Sequence, residues 1–293
     1  MSHFVVVVIG DDVEGQLAPY QENGNGDLPQ ELLAFEDNTE EVVQGWKDYP
    51  LTTLASVGEH EVNEYENIEE YARDYHGYEE HEGKYGYWHN PNSKWDWWEV
   101  GGRWGGYFPV KENPSQEYKP VTRPAAKFRD PDEPMPNKAD SILIQDLDVE
   151  RARDEAETRA REQFGQWRTC FEEHGKALTF AEIRDANNND IDKARKIYNA
   201  QPAVAAHSRY GVFFGDVVKD FGYDEEAYVK LYKNQALVPY AVVKDGEWHA
   251  KGEMGWFGCS NDDVEQDTWN EEFHKLLTDL PPGTLLTAVD CHV

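Results

Sequence analysis

The residues Phe4–Ile9 form an unbroken run of β-branched and aromatic side chains, FVVVVI, which is closed by Gly10 and two aspartates. A strand with one wet face alternates apolar and polar residues, so this run predicts a strand buried on both faces inside a sheet. Thr284–Val293 follows the stop signal Pro281-Pro282-Gly283 and predicts a second strong strand. We expect these two strands, from opposite ends of the sequence, to be neighbours.

A long helix is predicted after Asp148, which suits the N-cap, and before Gly175, which suits the C-cap. Apolar side chains recur there at steps of three and four residues, as on one face of a helix. This stripe consists of Ala152, Ala156, Ala160, Phe164, Trp167 and Phe171.

Shorter elements follow from local signals. A capping box at Thr179–Glu182 opens one helix, Asp190 opens another through Tyr198, and Asp245-Gly246 favours a hairpin between residues 239–244 and 247–251. Apolar spacing predicts a further helix over residues 263–280. Together these signals predict an α+β fold: a largely antiparallel sheet that includes both terminal strands, with helices on it and a helical insertion.

Composition divides the chain into four regions. Residues 1–110 form an acidic α/β region with a Trp/Gly-rich block, and residues 111–140, which hold six prolines, are predicted to be a linker or irregular excursion. Residues 141–235 are predicted to be helical. Residues 236–293 supply the hairpin, a helix and the terminal strand, which we expect to pack with the first region.

Negative charge is concentrated in residues 1–100, which hold 23 Asp and Glu against four Lys and Arg, within a chain of net charge −30. Residues 151–200, in contrast, hold ten of each sign. So negative a surface repels nucleic acid phosphates and anionic lipids, and it attracts cations and basic protein faces. We therefore expect a protein partner, with neither direct nucleic acid binding nor membrane binding.

Residues 59–82 carry ten carboxylates, one arginine and the three histidines His60, His76 and His81. No metal-binding spacing such as His-Glu-x-x-His occurs, and carboxylates on a helical stretch usually form a solvated or partner-facing surface. This interpretation is favoured over a metal site.

Residues 85–108 contain nine aromatic residues, five of them tryptophans. The doublets Gly101-Gly102 and Gly105-Gly106 bracket Arg103-Trp104, so the backbone can turn and present a guanidinium beside indole faces. Two interpretations stay open: a binding hot spot, or a Trp-rich minicore that compensates for the glycines. The spacing matches neither a phosphate loop nor a dinucleotide fingerprint.

Asp290 and His292 alternate along the last strand and therefore point to the same side, with His3 able to join them if the terminal strands pair. A carboxylate that orients an imidazole recurs in catalysis, but the pair lacks a nucleophile, and hydrogen bonding at a strand end is the favoured interpretation. Cys170, Cys259 and Cys291 indicate neither a disulfide framework nor a zinc site. We predict no catalytic residues, metal or cofactor.

The segments MSHFVVVVIGDDVEGQLAPYQEN, KWDWWEVGGRWGG, PYAVVKDGEWHAKGEMGWFG and LPPGTLLTAVDCHV resemble a family of bacteriophage-encoded accessory proteins. The resemblance covers both ends and the Trp block. Size and acidity further resemble the Gabija anti-defence proteins of phages. That resemblance implies a non-enzymatic inhibitor that encloses the host's Gabija nuclease complex as an oligomeric shell and keeps DNA from being bound or cleaved. It transfers no site residues.

The sequence therefore predicts a phage-encoded inhibitor of a bacterial defence nuclease complex that is homo-oligomeric on its target. With no signal segment or membrane span, it is expected in the cytoplasm of the infected host. The alternatives are a metal-dependent hydrolase of a nucleotide signal, using His292 or His81, and a virion or scaffold component. The candidate interface residues are Glu66, Glu69, Glu70, Glu79, Glu80, Glu82, Trp95, Trp97, Arg103 and Trp104.

Overall fold

A computed structural model describes residues 2–48, 65, 67–122, 134–211, 213, 215–254 and 260–293. The strands are β1 His3–Ile9, β2 Ala34–Asp37, β3 Glu79–His81, β4 Lys84–His89, β5 Trp97–Val100, β6 Phe108–Pro109, β7 Val121–Thr122, β8 Pro134–Met135, β9 Lys138–Ala139, β10 Ser141–Leu143, β11 Ala241–Lys244, β12 Glu247–Ala250, β13 Gly252–Met254, β14 Ser260–Asp262 and β15 Leu285–His292.

The helices are α1 Val13–Leu17, α2 Thr39–Asp48, α3 Ile68–Asp74, α4 Val149–His174, α5 Phe180–Ala186, α6 Ile191–Ala200, α7 Pro202–His207, α8 Val217–Phe221, α9 Glu225–Asn234 and α10 Gln266–Asp279. None of these helices is both long and apolar enough to cross a membrane.

The main sheet has the strand order β10-β15-β1-β11-β12. Strand β5 also pairs with β15, on the same edge as β10 but further along the strand. β1 pairs with β15 along its whole length, antiparallel from His3 opposite His292 to Ile9 opposite Leu286. Only the pairing of β1 with β11 is parallel among the described pairings of this sheet. The α+β fold, the mostly antiparallel sheet and the inclusion of both terminal strands are confirmed.

Both faces of the main sheet are covered, as the run in β1 predicts. Val5 and Val7 lie in a core with α10 and the start of α4, whereas Phe4, Val6 and Val8 lie in a second core with Leu17 and Trp95. Because successive strand residues point to opposite faces, a run without polar residues requires such cover on both sides.

The helical region, α4 to α9, builds a third core around the later part of the α4 stripe, from Ala160 to Phe171, whereas Ala152 and Ala156 lie in the first core of the main sheet. Asp148 accepts a hydrogen bond from the Arg151 amide at 3.0 Å, and Gly175 is the C-cap, so the predicted limits of α4 are confirmed. The capping box at Thr179 and the hairpin turn at Asp245-Gly246 are confirmed as well.

Residues 59–82 are less helical than the charge pattern suggests. Within the described part of that segment only Ile68–Asp74 is helical, and Glu79 and Glu80 lie on strand β3. The reason is pairing with β4, which places Glu79 opposite Gly86 and Glu80 opposite Tyr85.

Candidate functional site

The first candidate is a small acidic lobe, defined here as residues 34–47 and 67–89. Its three-stranded sheet has the order β2-β4-β3 and carries α2 and α3. The buried side chains of Val42, Tyr71 and Ala72 form its own small core, separate from the cores of the main sheet. The lobe is therefore a distinct structural unit that presents its charges on its own scaffold.

The lobe holds ten Asp and Glu and three Lys and Arg. Two of the cations pair with neighbours: Lys84 Nζ lies 2.8 Å from Asp37, and Arg73 Nε lies 2.6 Å from Asp74. The hydrogen bond from Lys84 is the main reason that the pKa of Asp37 is lowered to about 2. Both pairs are local, so most carboxylates of the lobe are left to face solvent.

Carboxylates from two elements converge beside Tyr85. Burial raises the pKa of the Tyr85 phenol, and the negative charges of Glu69 on α3 and Glu80 on β3 raise it further. Glu79 is exposed and precedes Glu80 on the same strand, so it points to the other face of the small sheet. Within the described residues, no Lys or Arg forms an ion pair with Glu69, Glu79 or Glu80.

Four of the predicted interface glutamates lie on two different elements of the lobe. Glu69 and Glu70 lie on α3, while Glu80 and the turn residue Glu82 lie on or beside β3, an edge strand. Charged side chains on an edge strand also discourage pairing with a foreign strand, which is a structural role they can fill without any partner. Glu66 lies outside the described residues.

The tryptophans predicted for the interface divide between surface and core. Trp97 is 42% exposed, whereas Trp95 is only 5% exposed and its indole N–H donates to the Leu17 carbonyl at 3.2 Å. Trp104 packs against the core of the main sheet. Trp95 is thus buried in the core that holds Leu17 and Phe4, as the minicore interpretation expects, while its place in an interface stays a prediction.

The glycine doublets let the backbone approach the carboxyl groups of two aspartates closely. A Cβ on Gly102 would lie 2.5 Å from Asp290 Cβ, and one on Gly101 would lie 2.6 Å from the Asp140 carboxyl, with positive φ angles at both. The Arg103 amide donates to Asp290 at 2.9 Å and the Gly106 amide to Asp140 at 2.6 Å. The close approach requires glycine. Arg103 itself is exposed, and none of the cation–π contacts among the described residues involves it.

The second candidate is a histidine–aspartate cluster on the main sheet, formed by His3, Asp96, Asp290 and His292. His3 Nδ1 lies 2.9 Å from Asp290 Oδ1, and His292 Nδ1 lies 2.6 Å from Asp96 Oδ1. Asp290 is 1% exposed and His292 5%. The prediction that Asp290 and His292 share a side is confirmed, and the pairing of β1 with β15 brings His3, which the sequence left only as a possible member, beside them.

Trp97 completes this cluster. Its ring stacks on His292 with centroids 5.1 Å apart and meets His3 edge-on at 5.2 Å. The ring centroids of His3 and His292 are 4.8 Å apart, with an interplanar angle of 72°. The cluster thus holds two imidazoles side by side, each fixed by its own carboxylate.

Sequence reasoning missed Asp96. It pairs with a histidine 196 positions away, and only the antiparallel pairing of β5 with β15 brings the two together. No spacing rule links such distant residues.

The cluster offers acid–base groups, and in the part of the chain that the structure describes no nucleophile is paired with them. Cys291 points to the opposite face of the sheet from Asp290 and His292, and burial raises the pKa of its thiol. His76 and His81 lie in the acidic lobe, and His60 lies outside the described residues. Across the residues that the structure describes, no three His, Cys, Asp or Glu side chains are grouped so that they could hold a metal ion.

A cleft of about 570 Å³ lies beside the glycine turn and is lined by Glu99, Tyr118 and Asp140 among others. Burial raises the pKa of Asp140, and its carboxylate accepts the Gly106 amide. Tyr118 is bound to Asp146 at 2.7 Å. Asp140 and Tyr118 therefore already serve structural hydrogen bonds at this cleft.

Searches of protein family models, of curated proteins and of solved structures find no match to this chain.

Proposed function

We propose that this protein is a phage-encoded, non-enzymatic inhibitor that binds the basic face of a bacterial anti-phage nuclease complex and blocks DNA binding or cleavage. The observation that carries the proposal is the acidic lobe: a separately built unit with ten carboxylates and three cations, two of which are paired locally. Its negative potential is therefore directed outward rather than neutralised within the protein.

A nuclease that holds DNA must expose positive charge along the path of the phosphates. Complementary charge speeds the encounter of two proteins and disfavours partners of the same sign. The acidic lobe has the sign required for such a face, and Glu69 and Glu80, from two different elements, both lie near Tyr85.

The target class follows from the resemblance to phage accessory proteins and, within them, to Gabija anti-defence proteins. On that basis the partner is a Gabija-type nuclease complex in the cytoplasm of the infected host, and the inhibitor is oligomeric when bound. Trp97 is the exposed tryptophan of the predicted set; it lies on the main sheet rather than on the acidic lobe, so we propose it only as a separate anchoring contact.

The test combines DNA cleavage by a purified Gabija complex with size-exclusion chromatography. We expect the protein to co-elute with the complex and to suppress cleavage at saturation. The triple variant Glu69→Lys, Glu79→Lys, Glu80→Lys should associate at least about tenfold more slowly at low salt and depend less on ionic strength.

The matched control reverses three exposed carboxylates of α4, Asp154→Lys, Glu162→Lys and Glu172→Lys, which changes the net charge by the same amount. We expect nearly wild-type association. Equal slowing in both variants would show that only total charge matters, and full cleavage without co-elution would remove this target.

A further inference from the structure

We propose that His3 and His292 form a binding site for a divalent transition-metal ion of the zinc, copper or nickel type, which both rings ligate through Nε2. The site lies on the main sheet, apart from the acidic lobe, and the proposal does not depend on the proposed inhibitor function.

The hydrogen bonds of the cluster select the ring tautomer that metal binding requires. Each Nδ1 faces a carboxylate, His3 that of Asp290 at 2.9 Å and His292 that of Asp96 at 2.6 Å. A neutral ring must donate its proton in such a contact, which leaves the lone pair on Nε2. Histidines that ligate metals commonly donate their other ring N–H to a carboxylate, which also makes the ligating nitrogen more basic.

The separation of the rings suits one ion. Zn–N distances of about 2.0–2.1 Å place a bound ion about 3.2 Å from each imidazole centroid, so two rings at an angle of about 90–110° have centroids about 4.5–5.2 Å apart. The observed centroid separation is 4.8 Å. No group within the described ranges forms a hydrogen bond with either Nε2, so both lone pairs are available.

The surrounding charge favours a cation. Asp290 is almost fully buried and Asp96 is exposed, and Glu99 lies opposite Asp290 in the register of β5 and β15, on the same face of the sheet. A bound cation would offset the buried carboxylate without breaking its hydrogen bonds to His3 and the Arg103 amide.

Two imidazoles supply only part of a coordination sphere. Since no third His, Cys, Asp or Glu of the described residues joins them, water would have to fill the remaining positions, which are more than the single open position of a zinc site with three protein ligands. Imidazole nitrogen suits zinc, copper and nickel, whereas magnesium and calcium prefer oxygen ligands. The site should therefore discriminate between these two groups of ions.

The test is isothermal titration calorimetry of the full chain with zinc chloride in the presence of excess magnesium, which occupies carboxylate sites. We expect one saturable zinc site per chain. His3→Gln and His292→Gln should each abolish it, because glutamine keeps a donor for Asp290 or Asp96 but does not supply an imidazole nitrogen. Asp96→Asn should weaken zinc binding by about 10–100-fold.

The matched control is His249→Gln, which removes an exposed histidine of β12 and should leave binding unchanged. Thermal unfolding of each metal-free variant shows whether it is folded, and Asp96→Asn tests the proposal even if a histidine variant is not. The proposal fails if the wild-type chain binds no zinc under these conditions, if folded His292→Gln binds it equally well, or if Asp96→Asn binds it with unchanged affinity.

Discussion

Charged residues make up a similar share of the acidic lobe and of the helical region, but the two regions use them in opposite ways. The helical region, residues 149–234, holds 16 Asp and Glu against 14 Lys and Arg, and its charges interlock. Arg161 contacts Glu157 at 2.8 Å and Glu226 at 2.7 Å, while Lys233 reaches Glu157 at 2.5 Å. Charge there ties α4 to α9, whereas in the lobe it projects into solvent.

The two regions also differ in their cores. The core of the helical region holds Phe164, Trp167 and Tyr228 with ten other buried residues, whereas the described core of the lobe consists of the buried side chains of Val42, Tyr71 and Ala72. A small core that carries a large unbalanced charge is weakly held, since repulsion between carboxylates opposes compaction. We therefore expect the lobe to open more readily than the helical region.

The largest expected effect is on unfolding, and it distinguishes the core of the helical region from that of the lobe. Trp167→Ala should lower the free energy of unfolding by about 3–5 kcal/mol, because it empties a fully buried site and removes the indole N–H bond to the Gly222 carbonyl. Tyr71→Ala should instead open the lobe alone. Hydrogen exchange followed by mass spectrometry checks this: Tyr71→Ala should expose amides of β3 and β4 while those of β1 and β15 stay protected. Loss of protection in all of these strands would show that lobe and sheet unfold together.

Salt should have a smaller effect, with a sign that differs between the regions. Raising ionic strength from about 0.01 M to about 1 M shortens the screening length from about 30 Å to about 3 Å. Repulsion within the lobe then weakens, and we expect slower exchange of its amides. In the helical region the same change weakens ion pairs, so exchange there should be equal or faster. Faster amide exchange in the lobe at high salt would contradict the difference between the two regions.

The smallest expected effect is a change in the stability of the helical region as the pH falls. Hydrogen bonds from Lys233 and then Arg161 lower the pKa of Glu157, and the hydrogen bond from Arg161 lowers that of Glu226, below the ordinary 4.5. Because these folded-state values are depressed, the stabilisation is present above the unfolded-state pKa and is lost as the pH falls through the folded-state values. The helical region should therefore become less protected between about pH 5 and pH 3, and Glu157→Gln should flatten that response.

The lobe should respond in the opposite direction over the same pH range, because protonation of its carboxylates relieves repulsion. The ion pair of Lys84 with Asp37 survives through this window, since the pKa of Asp37 is about 2. Amide exchange recorded at both pH values, with Glu157→Gln as the control, measures the two responses in one experiment. Parallel responses in lobe and helical region would contradict the contrast drawn between them.

Local chemistry made much of the fold predictable. Asp148 and Gly175 mark the limits of α4 because caps satisfy backbone groups within a few residues, and Asp245-Gly246 fixes a hairpin because its two positive φ angles match that turn. The unbroken apolar run of β1 likewise requires a central position whatever its neighbours are.

Pairings over long distances were less accessible to sequence reasoning. The partition of β2, β3 and β4 into their own sheet depends on strand pairing rather than on any local signal. Glycine is required at positions 101 and 102 because of close contact with Asp140 and Asp290, which are far away in the sequence. The histidine–aspartate cluster was anticipated only as far as residues on the terminal strands, because Asp96 enters from β5.

The position of β1 has a consequence during synthesis. Both of its sheet neighbours, β11 and β15, lie beyond residue 240, so this strand leaves the ribosome long before either partner exists. At about 5–20 residues per second, the wait lasts from roughly 10 seconds to a minute. Throughout that interval FVVVVI is an apolar segment without its strand partners, so we expect the nascent chain to be prone to aggregation until the last third of the chain has been made.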